Sequence, residues 1–212
     1  NDYQITFKNN FTLYLIGIFY NFFIPGGFGG DAYKFYLMKK NYEWDFKKLF
    51  KLLVFDRLIG LGALVCILFF MIQNFILELN LIYMIISLLL TLALGYYIVK
   101  YLFNNQHIYF KSLGISVINQ FLQFLTIFFV ILSLGIENNF VEIIVVFICS
   151  SILSVFSIGG IGIREYIFLI SASFINVSPE LSASVGLLFT FSASFSTIPG
   201  LGYLINKPKF LK

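Results

Sequence analysis

The sequence predicts an all-α, polytopic membrane helix bundle in which two helices are broken by glycines. Only 11% of the 212 residues are charged and 59% are hydrophobic, whereas a soluble domain carries about 25% charged residues. The chain also contains 28 Phe and 13 Tyr, which suit both lipid and its interface with water. Long apolar runs recur along the chain, with lysines gathered between them. We therefore expect a single integral membrane domain over residues 1–212.

Five apolar segments are long enough to cross a bilayer, which takes about 20 residues of helix. Two others, 11–24 and 163–175, are too short, since roughly 14 residues extend only about 21 Å against a hydrocarbon core of about 30 Å. The five predicted spans are residues 54–75, 81–99, 112–134, 140–158 and 181–205, the last broken by Pro199 and Gly200.

The charge distribution predicts the orientation in the membrane. Residues 34–51 contain six lysines and the tail 207–212 contains three, and positively charged loops stay on the cytoplasmic side. The loops 73–80 and 135–142 carry glutamate and no basic residue, so we expect them outside. The expected location is the plasma membrane, with the 34–51 segment and the C-terminal tail in the cytoplasm.

The short segment 11–24 admits two interpretations. In the first, it enters the membrane from the cytoplasm, turns at the glycines and returns, so that residues 11–40 form a re-entrant broken-helix hairpin. This interpretation explains the short length and places Lys8 on the same side as the lysine-rich segment. The alternative is an ordinary span, which places Lys8 outside and leaves the length unexplained.

A second glycine motif repeats the first when Asp31 is aligned with Arg164. In this alignment, which we call the repeat alignment, Gly26, Gly27 and Gly29 also fall on glycines. We expect residues 140–175 to form a second broken-helix hairpin that enters from the opposite face, which is the pattern of an inverted repeat. Chance recurrence of glycine and aromatic residues in a biased sequence is the alternative.

Irregular backbone persists inside a membrane only where protein buries it or where it borders a water-filled cavity. Glycine supplies the backbone freedom, and a helix that begins there directs its partly positive N-terminus into the cavity. We expect Asp31 to cap such a helix. The candidate cavity residues are the glycines and charged residues of both motifs and the acidic–basic pair that opens the 54–75 span: Gly26, Gly27, Gly29, Gly30, Asp31, Lys34, Asp56, Arg57, Gly159, Gly160, Gly162, Arg164 and Glu165.

Some of these charges have alternative roles. Arg57 beside Asp56 either extends to the membrane interface or forms an ion pair that anchors the hairpin or lines the cavity. Lys34 stands three residues after Asp31 and either pairs with it or meets a phosphate.

Catalytic and cofactor signatures are missing from the sequence. It contains no Ser-His-Asp set, no Cys-His pair, no metal-ligand spacing and no phosphate-binding or dinucleotide motif. We expect no cofactor, no metal and no nucleic-acid partner, and the chain is more typical of a non-enzyme.

Four segments together resemble the lysylphosphatidylglycerol synthase transmembrane region, also called the flippase-like integral membrane family. They read PGGFGGDAYKFYLM, VFDRLIGL, GGIGIREYIFLI and TIPGLGYLI in chain order. Two departures are Lys34 where arginine is usual and the lack of about two upstream helices, which suggests a truncated start. Bifunctional relatives carry a soluble lysyltransferase domain that is not expected here.

The resemblance implies lipid translocation of phospholipid or lipid-linked headgroups. The alternative is a membrane-embedded enzyme or accessory subunit in lipid or glycolipid modification. The expected partners are membrane lipids, above all anionic ones, and either a lipid-modifying enzyme or a second copy of the chain.

Overall fold

Helices make up nearly all of the chain that the structure describes, and no strand occurs within that part. The computed structural model describes residues 6–24, 29–42, 45–72, 81–103, 106–154, 157 and 160–206. The helices of these segments, in chain order, are α1 (Phe7–Phe23), α2 (Gly29–Tyr42), α3 (Phe46–Met71), α4 (Leu81–Phe103), α5 (Gln106–Ser133), α6 (Phe140–Leu153), α7 (Ile163–Ile170), α8 (Ala172–Ile175), α9 (Pro179–Phe195) and α10 (Ile198–Asn206).

Among the residues that the structure describes, three helical segments are long and apolar enough to cross a membrane: Leu49–Met71, Tyr109–Ser133 and Pro179–Ile205. They fall in α3, in α5 and in the consecutive α9 and α10. The helix α4 begins where the second predicted span begins and continues to Phe103. Large apolar side chains remain exposed on α4 and α5, as expected of surfaces that face lipid. The predicted all-α membrane bundle is confirmed.

The predicted span at 140–158 is too long. Helix α6 ends at Leu153 after 14 residues, which is about 21 Å of helix and less than a bilayer core. Its last turn contains serines, and the Ser154 hydroxyl donates to the Ser151 carbonyl at 2.7 Å. Such side-chain bonds compete with the helical backbone pattern.

Side chains at the helix starts explain where several helices begin. Thr6, Asp45 and Ser178 each precede a helix and accept a hydrogen bond from a backbone N–H of its first turn. Such caps satisfy donors that have no partner inside the helix. Pro179 follows Ser178 at the first helical position, where its missing N–H costs nothing.

Helices α1 and α2 pack antiparallel as a hairpin. The rings of Tyr20 and Tyr33 lie 4.7 Å apart, and Lys34 lies against Gly17 one turn further along. Leu13 and Leu37 then share a small buried cluster. This order of contacts places Lys8 at the same end of the hairpin as the C-terminus of α2. The connecting residues, among them Gly26 and Gly27, lie outside the described residues.

Helices α6, α7 and α8 form a second antiparallel hairpin. Asn139, just before α6, donates from Nδ2 to the carbonyl of Ile175 at the end of α8, at 2.8 Å. Between these ends, Phe147 of α6 and Phe168 of α7 are fully buried in the main core. That core is completed by α5 and α9, where the ring of Phe189 lies 4.5 Å from that of Phe147.

The outer ends of the two hairpins, and the starts of the helices that follow them, obey the same repeat alignment as the glycine motifs. In that alignment the start of α1 at Phe7 falls on the start of α6 at Phe140, and the end of α2 at Tyr42 falls on the end of α8 at Ile175. The starts of the next helices, α3 and α9, also coincide. The repeat therefore extends over three consecutive helical segments in each half of the chain. We call α1–α3 the first unit and α6–α10 the second unit. The opposite orientation of the units in a membrane stays a prediction.

Candidate functional site

An ion pair joins the first hairpin to the first long helix. Asp31 lies in the first turn of α2 and is 8% exposed. Arg57 of α3 donates to its Oδ2 from Nε at 2.8 Å and from Nη2 at 2.5 Å. Charge-assisted bonds of this kind are short and strong. Of the two roles expected for Arg57, the geometry shows an ion pair that ties α3 to the hairpin.

Asn21, which the sequence did not single out, takes the capping role expected for Asp31. Its Oδ1 accepts a hydrogen bond of 2.8 Å from the backbone N–H of Gly30. A Cβ added at Gly30 would collide with the backbone of Gly17. The absence of a side chain at Gly30 therefore allows α1 and α2 to approach closely, with the start of α2 set against Asn21.

The other charges of the first unit lie apart from this pair. Lys34 stretches over Gly17, with Nζ 5.9 Å from the centre of the Tyr14 ring, and the one ion pair found among the described residues does not include it. Of the two roles expected for Lys34, the pair with Asp31 is therefore not formed, and Arg57 pairs with Asp31 instead. Asp56 is exposed on α3 and forms no ion pair with a described residue.

The backbone just before α7, in the second glycine motif, adopts conformations that favour glycine. Gly160 and Gly162 have φ values of 88° and 83°, which side-chain-bearing residues rarely adopt. Gly160 also makes room for Arg164, since an added Cβ would lie 2.9 Å from Nη1 of its guanidinium. Gly159 lies outside the described residues.

Arg164 is buried, with 6% of its surface exposed. Its Nη1 donates to the hydroxyl oxygen of Thr190 at 3.0 Å, and its guanidinium lies 4.7 Å from the centre of the Phe189 ring. Nε is buried without a hydrogen-bond partner, and no described carboxylate forms an ion pair with the side chain. An arginine in this state keeps a positive charge that no described carboxylate contacts directly.

Glu165, the neighbour of Arg164, is engaged with the backbone. Its Oε2 accepts a hydrogen bond of 2.6 Å from the N–H of Gly162, at the start of α7. A carboxylate at this position satisfies a free donor and opposes the positive end of the helix. Glu165 therefore stabilises the break and acts on the Arg164 guanidinium only through space, without forming an ion pair with it.

A cleft of about 520 Å³ opens beside this group. Glu165 and Gly162 line one side of it, Thr190 and Leu187 of α9 line another, and Phe22 of α1 closes it from the first unit. Because Thr190 bonds Arg164, the guanidinium lies directly behind the cleft wall. The lining is mostly apolar with a few polar groups, which is typical of sites that bind small molecules.

The described residues show no direct contact between the Asp31–Arg57 pair of the first unit and the Arg164 and Glu165 side chains of the second. Asp31 and Arg57 are not among the residues that line the cleft, and no hydrogen bond between described residues links them to Arg164 or Glu165. A cavity shared by both breaks stays a prediction. Within the described ranges, no cluster of three His, Cys, Asp or Glu residues has the arrangement of a metal site.

Comparison with known proteins identifies the family. Neither the curated proteins nor the solved structures gave a match to this chain. The family model described as Lysylphosphatidylglycerol synthase TM region matches residues 1–113 and 98–200. Each matched segment contains one of the two hairpins and the start of the long helix that follows it. The chain is therefore a membrane protein that belongs to the lysylphosphatidylglycerol synthase transmembrane-region family, whose setting is the modification or transport of lipids.

Proposed function

We propose that the protein is a flippase-like translocase that moves phospholipid or lipid-linked headgroups across the membrane. The observation that carries the proposal is Arg164, a buried cation without a described carboxylate partner, placed behind the wall of a mostly apolar cleft. A charged side chain inside a membrane is costly and is retained mainly where it serves a polar path or pairs with a partner.

The chemistry of the cleft fits an anionic amphiphile. A guanidinium is well suited to a phosphate because its N–H groups form a planar fork. The adjacent cleft presents Leu187, Phe191 and Phe22, which suit acyl chains, and the hydroxyl-bearing Thr190 next to the cation. We propose that the phosphate of the headgroup binds near Arg164 while the tails remain in the apolar part.

The first unit supplies a second polar point on the proposed path. The Asp31–Arg57 pair lies at the corresponding break of the first hairpin, where it offers a passing headgroup a polar surface that is balanced in charge. We propose that the units enter from opposite faces of the plasma membrane, with residues 34–51 and the tail in the cytoplasm. A headgroup would then pass between breaks that start at opposite surfaces.

The proposal is tested with purified protein in liposomes that contain fluorescent phosphatidylglycerol. Transfer between leaflets is followed by the fraction of probe that a membrane-impermeant quencher can reach. We expect wild-type protein to accelerate transfer and Arg164→Gln to reduce it about tenfold or more, since a hydrogen bond to a charged group contributes about 1.5–3 kcal/mol.

The matched control is Lys111→Gln, which removes an exposed lysine at the start of α5 and should transfer lipid like wild type. Wild-type liposomes with the transfer rate of empty liposomes would overturn the proposal. Transfer that is unchanged in Arg164→Gln would place the path elsewhere in the chain.

A further inference from the structure

The two units repeat a tertiary contact as well as helix boundaries. The repeat alignment places Asp31 on Arg164 and Arg57 on Thr190. Arg57 bonds Asp31 and Arg164 bonds Thr190, so each contact joins the start of a broken helix to the long helix that follows, across 26 residues. The same geometrical contact is thus made twice with different chemistry.

The contact of the first unit is balanced in charge. Both Nε and Nη2 of Arg57 donate to Asp31, so the guanidinium edge that would receive an anion is occupied by a carboxylate. A phosphate that approached Arg57 would have to displace Asp31, a carboxylate that lies on the same protein and is therefore present at a high effective concentration.

The contact of the second unit carries a net positive charge. Thr190 accepts one hydrogen bond from Nη1 of Arg164, and its own hydroxyl donates to the carbonyl of Gly186 at 3.0 Å. The hydroxyl therefore holds the guanidinium in place without neutralising it. Nε of Arg164 keeps no described partner, although the matching Nε of Arg57 is bound to a carboxylate.

The neighbouring carboxylate of Glu165 acts on Arg164 only from a distance. Glu165 accepts its hydrogen bond from the N–H of Gly162 and forms no ion pair with Arg164. Because a buried, unpaired guanidinium gains strongly from an anion, the arrangement favours a bound phosphate in the second unit and disfavours one in the first.

We propose that Thr190 is the specificity-determining residue that makes the second unit the phosphate-receiving half, because it holds Arg164 without neutralising it. The inference rests on the proposed function and narrows it to one half of the molecule. Thr190 is a positioning residue here: the guanidinium binds the phosphate, and Thr190 sets the charge and orientation of the guanidinium. The cleft that Thr190 lines would receive the phosphate of a lipid rather than a free phosphate ion.

The test compares Thr190→Asp with Thr190→Asn. The two side chains have nearly the same shape, but only aspartate recreates in the second unit the ion pair of the first. Binding of fluorescent phosphatidylglycerol to the protein in phosphatidylcholine nanodiscs is measured, with inorganic phosphate as a competitor in a separate arm. We expect Thr190→Asp to bind at least about tenfold more weakly than Thr190→Asn, because neutralising Arg164 removes a charge-assisted bond, and inorganic phosphate to compete poorly.

A purely structural role for Thr190 would weaken binding equally in both variants, and that result would overturn the inference. Effective competition by inorganic phosphate would overturn the choice of lipid as the source. If Arg164→Gln loses binding while Thr190→Asp retains it, only the inference about Thr190 fails. If Arg164→Gln binds like wild type, the proposed function loses its site.

A second variant decides the question if neither Thr190 variant folds. Asp31→Asn removes the carboxylate charge that faces Arg57, so the first unit should gain a phosphate site. Native mass spectrometry should then find two tightly retained phosphatidylglycerol molecules for each Asp31→Asn chain and one for wild type. An unchanged number of retained lipids would contradict the inference.

Discussion

Arg57 and Asp31 are joined by two hydrogen bonds to a single carboxylate oxygen, from Nε at 2.8 Å and from Nη2 at 2.5 Å. The pair links α2 to α3, two helices that touch less extensively than their counterparts α7 and α9 in the second unit. Apolar contacts such as Phe35 against Phe46 support this junction further along α2, and the ion pair is the charge-assisted contact that holds it at the start of α2.

Replacing Arg57 by glutamine should therefore lower the free energy of unfolding by about 1–3 kcal/mol, between the values for exposed and buried pairs. The loss arises because the Asp31 carboxyl group, only 8% exposed, would be left buried without its hydrogen-bond donor. Unfolding of the purified protein in detergent, followed by helical circular dichroism, measures the change. Lys51→Gln on the same helix removes an exposed lysine and should change stability little. Equal losses in both variants would contradict a structural role for the pair.

Gly30→Ala should disrupt the first hairpin. The added methyl group would collide with the backbone of Gly17, and backbone cannot move aside as a flexible side chain can. We expect a destabilisation of about 1–3 kcal/mol or more, measured by thermal unfolding in detergent. Gly60→Ala is the matched control in α3, where no atom lies within 4 Å of the added carbon. The control should be neutral or slightly stabilising, because alanine favours helix by up to about 1 kcal/mol.

Ser194→Trp should block the cleft. Ser194 lines it on α9, and an indole there would occupy part of the volume proposed for lipid. We expect lipid transfer in liposomes to fall at least severalfold while the unfolding temperature stays close to that of wild type. Ser192→Trp places the same ring on the same helix at an exposed position that does not line the cleft. A loss of transfer that is equal in both variants would show that the cleft is not the path.

The helix content and the repeat could be predicted because both follow from local sequence patterns. Apolar runs longer than a bilayer thickness leave few alternatives to a membrane helix. The glycine motifs established the repeat alignment, and the C-terminal ends of α2 and α8 obey it. The end of α6 at Leu153 was missed because a count of apolar residues does not register serine hydroxyls that compete for backbone carbonyls.

The contacts of the site were harder to predict because they depend on tertiary packing. The sequence admitted a local pair between Lys34 and Asp31 as one of two alternatives, but the hairpin directs Lys34 over Gly17 and brings Arg57 to Asp31. Asn21 carries no signal as a cap, since it lies nine residues before Gly30. Thr190 could have been found from the sequence, because the repeat alignment places Arg57 on Thr190.

The topology of the first hairpin can be tested by cysteine labelling in intact cells. Antiparallel packing places Lys8 at the same end of the hairpin as the C-terminus of α2, which leads into the lysine-rich segment. In a version of the protein without Cys66 and Cys149, we expect Lys8→Cys to resist a membrane-impermeant thiol reagent and to react after lysis. Lys51→Cys should behave in the same way, because both exposed positions would be cytoplasmic.

The control is Glu137→Cys, an exposed position in the loop expected outside, which should react before and after lysis. If α1 is an ordinary span, Lys8→Cys reacts in intact cells and Lys51→Cys does not. That result would place the ends of an antiparallel hairpin on opposite faces of the membrane, which its geometry does not allow. The re-entrant hairpin and the packing of α1 against α2 are therefore tested together, because each requires Lys8 and the end of α2 to be at one surface.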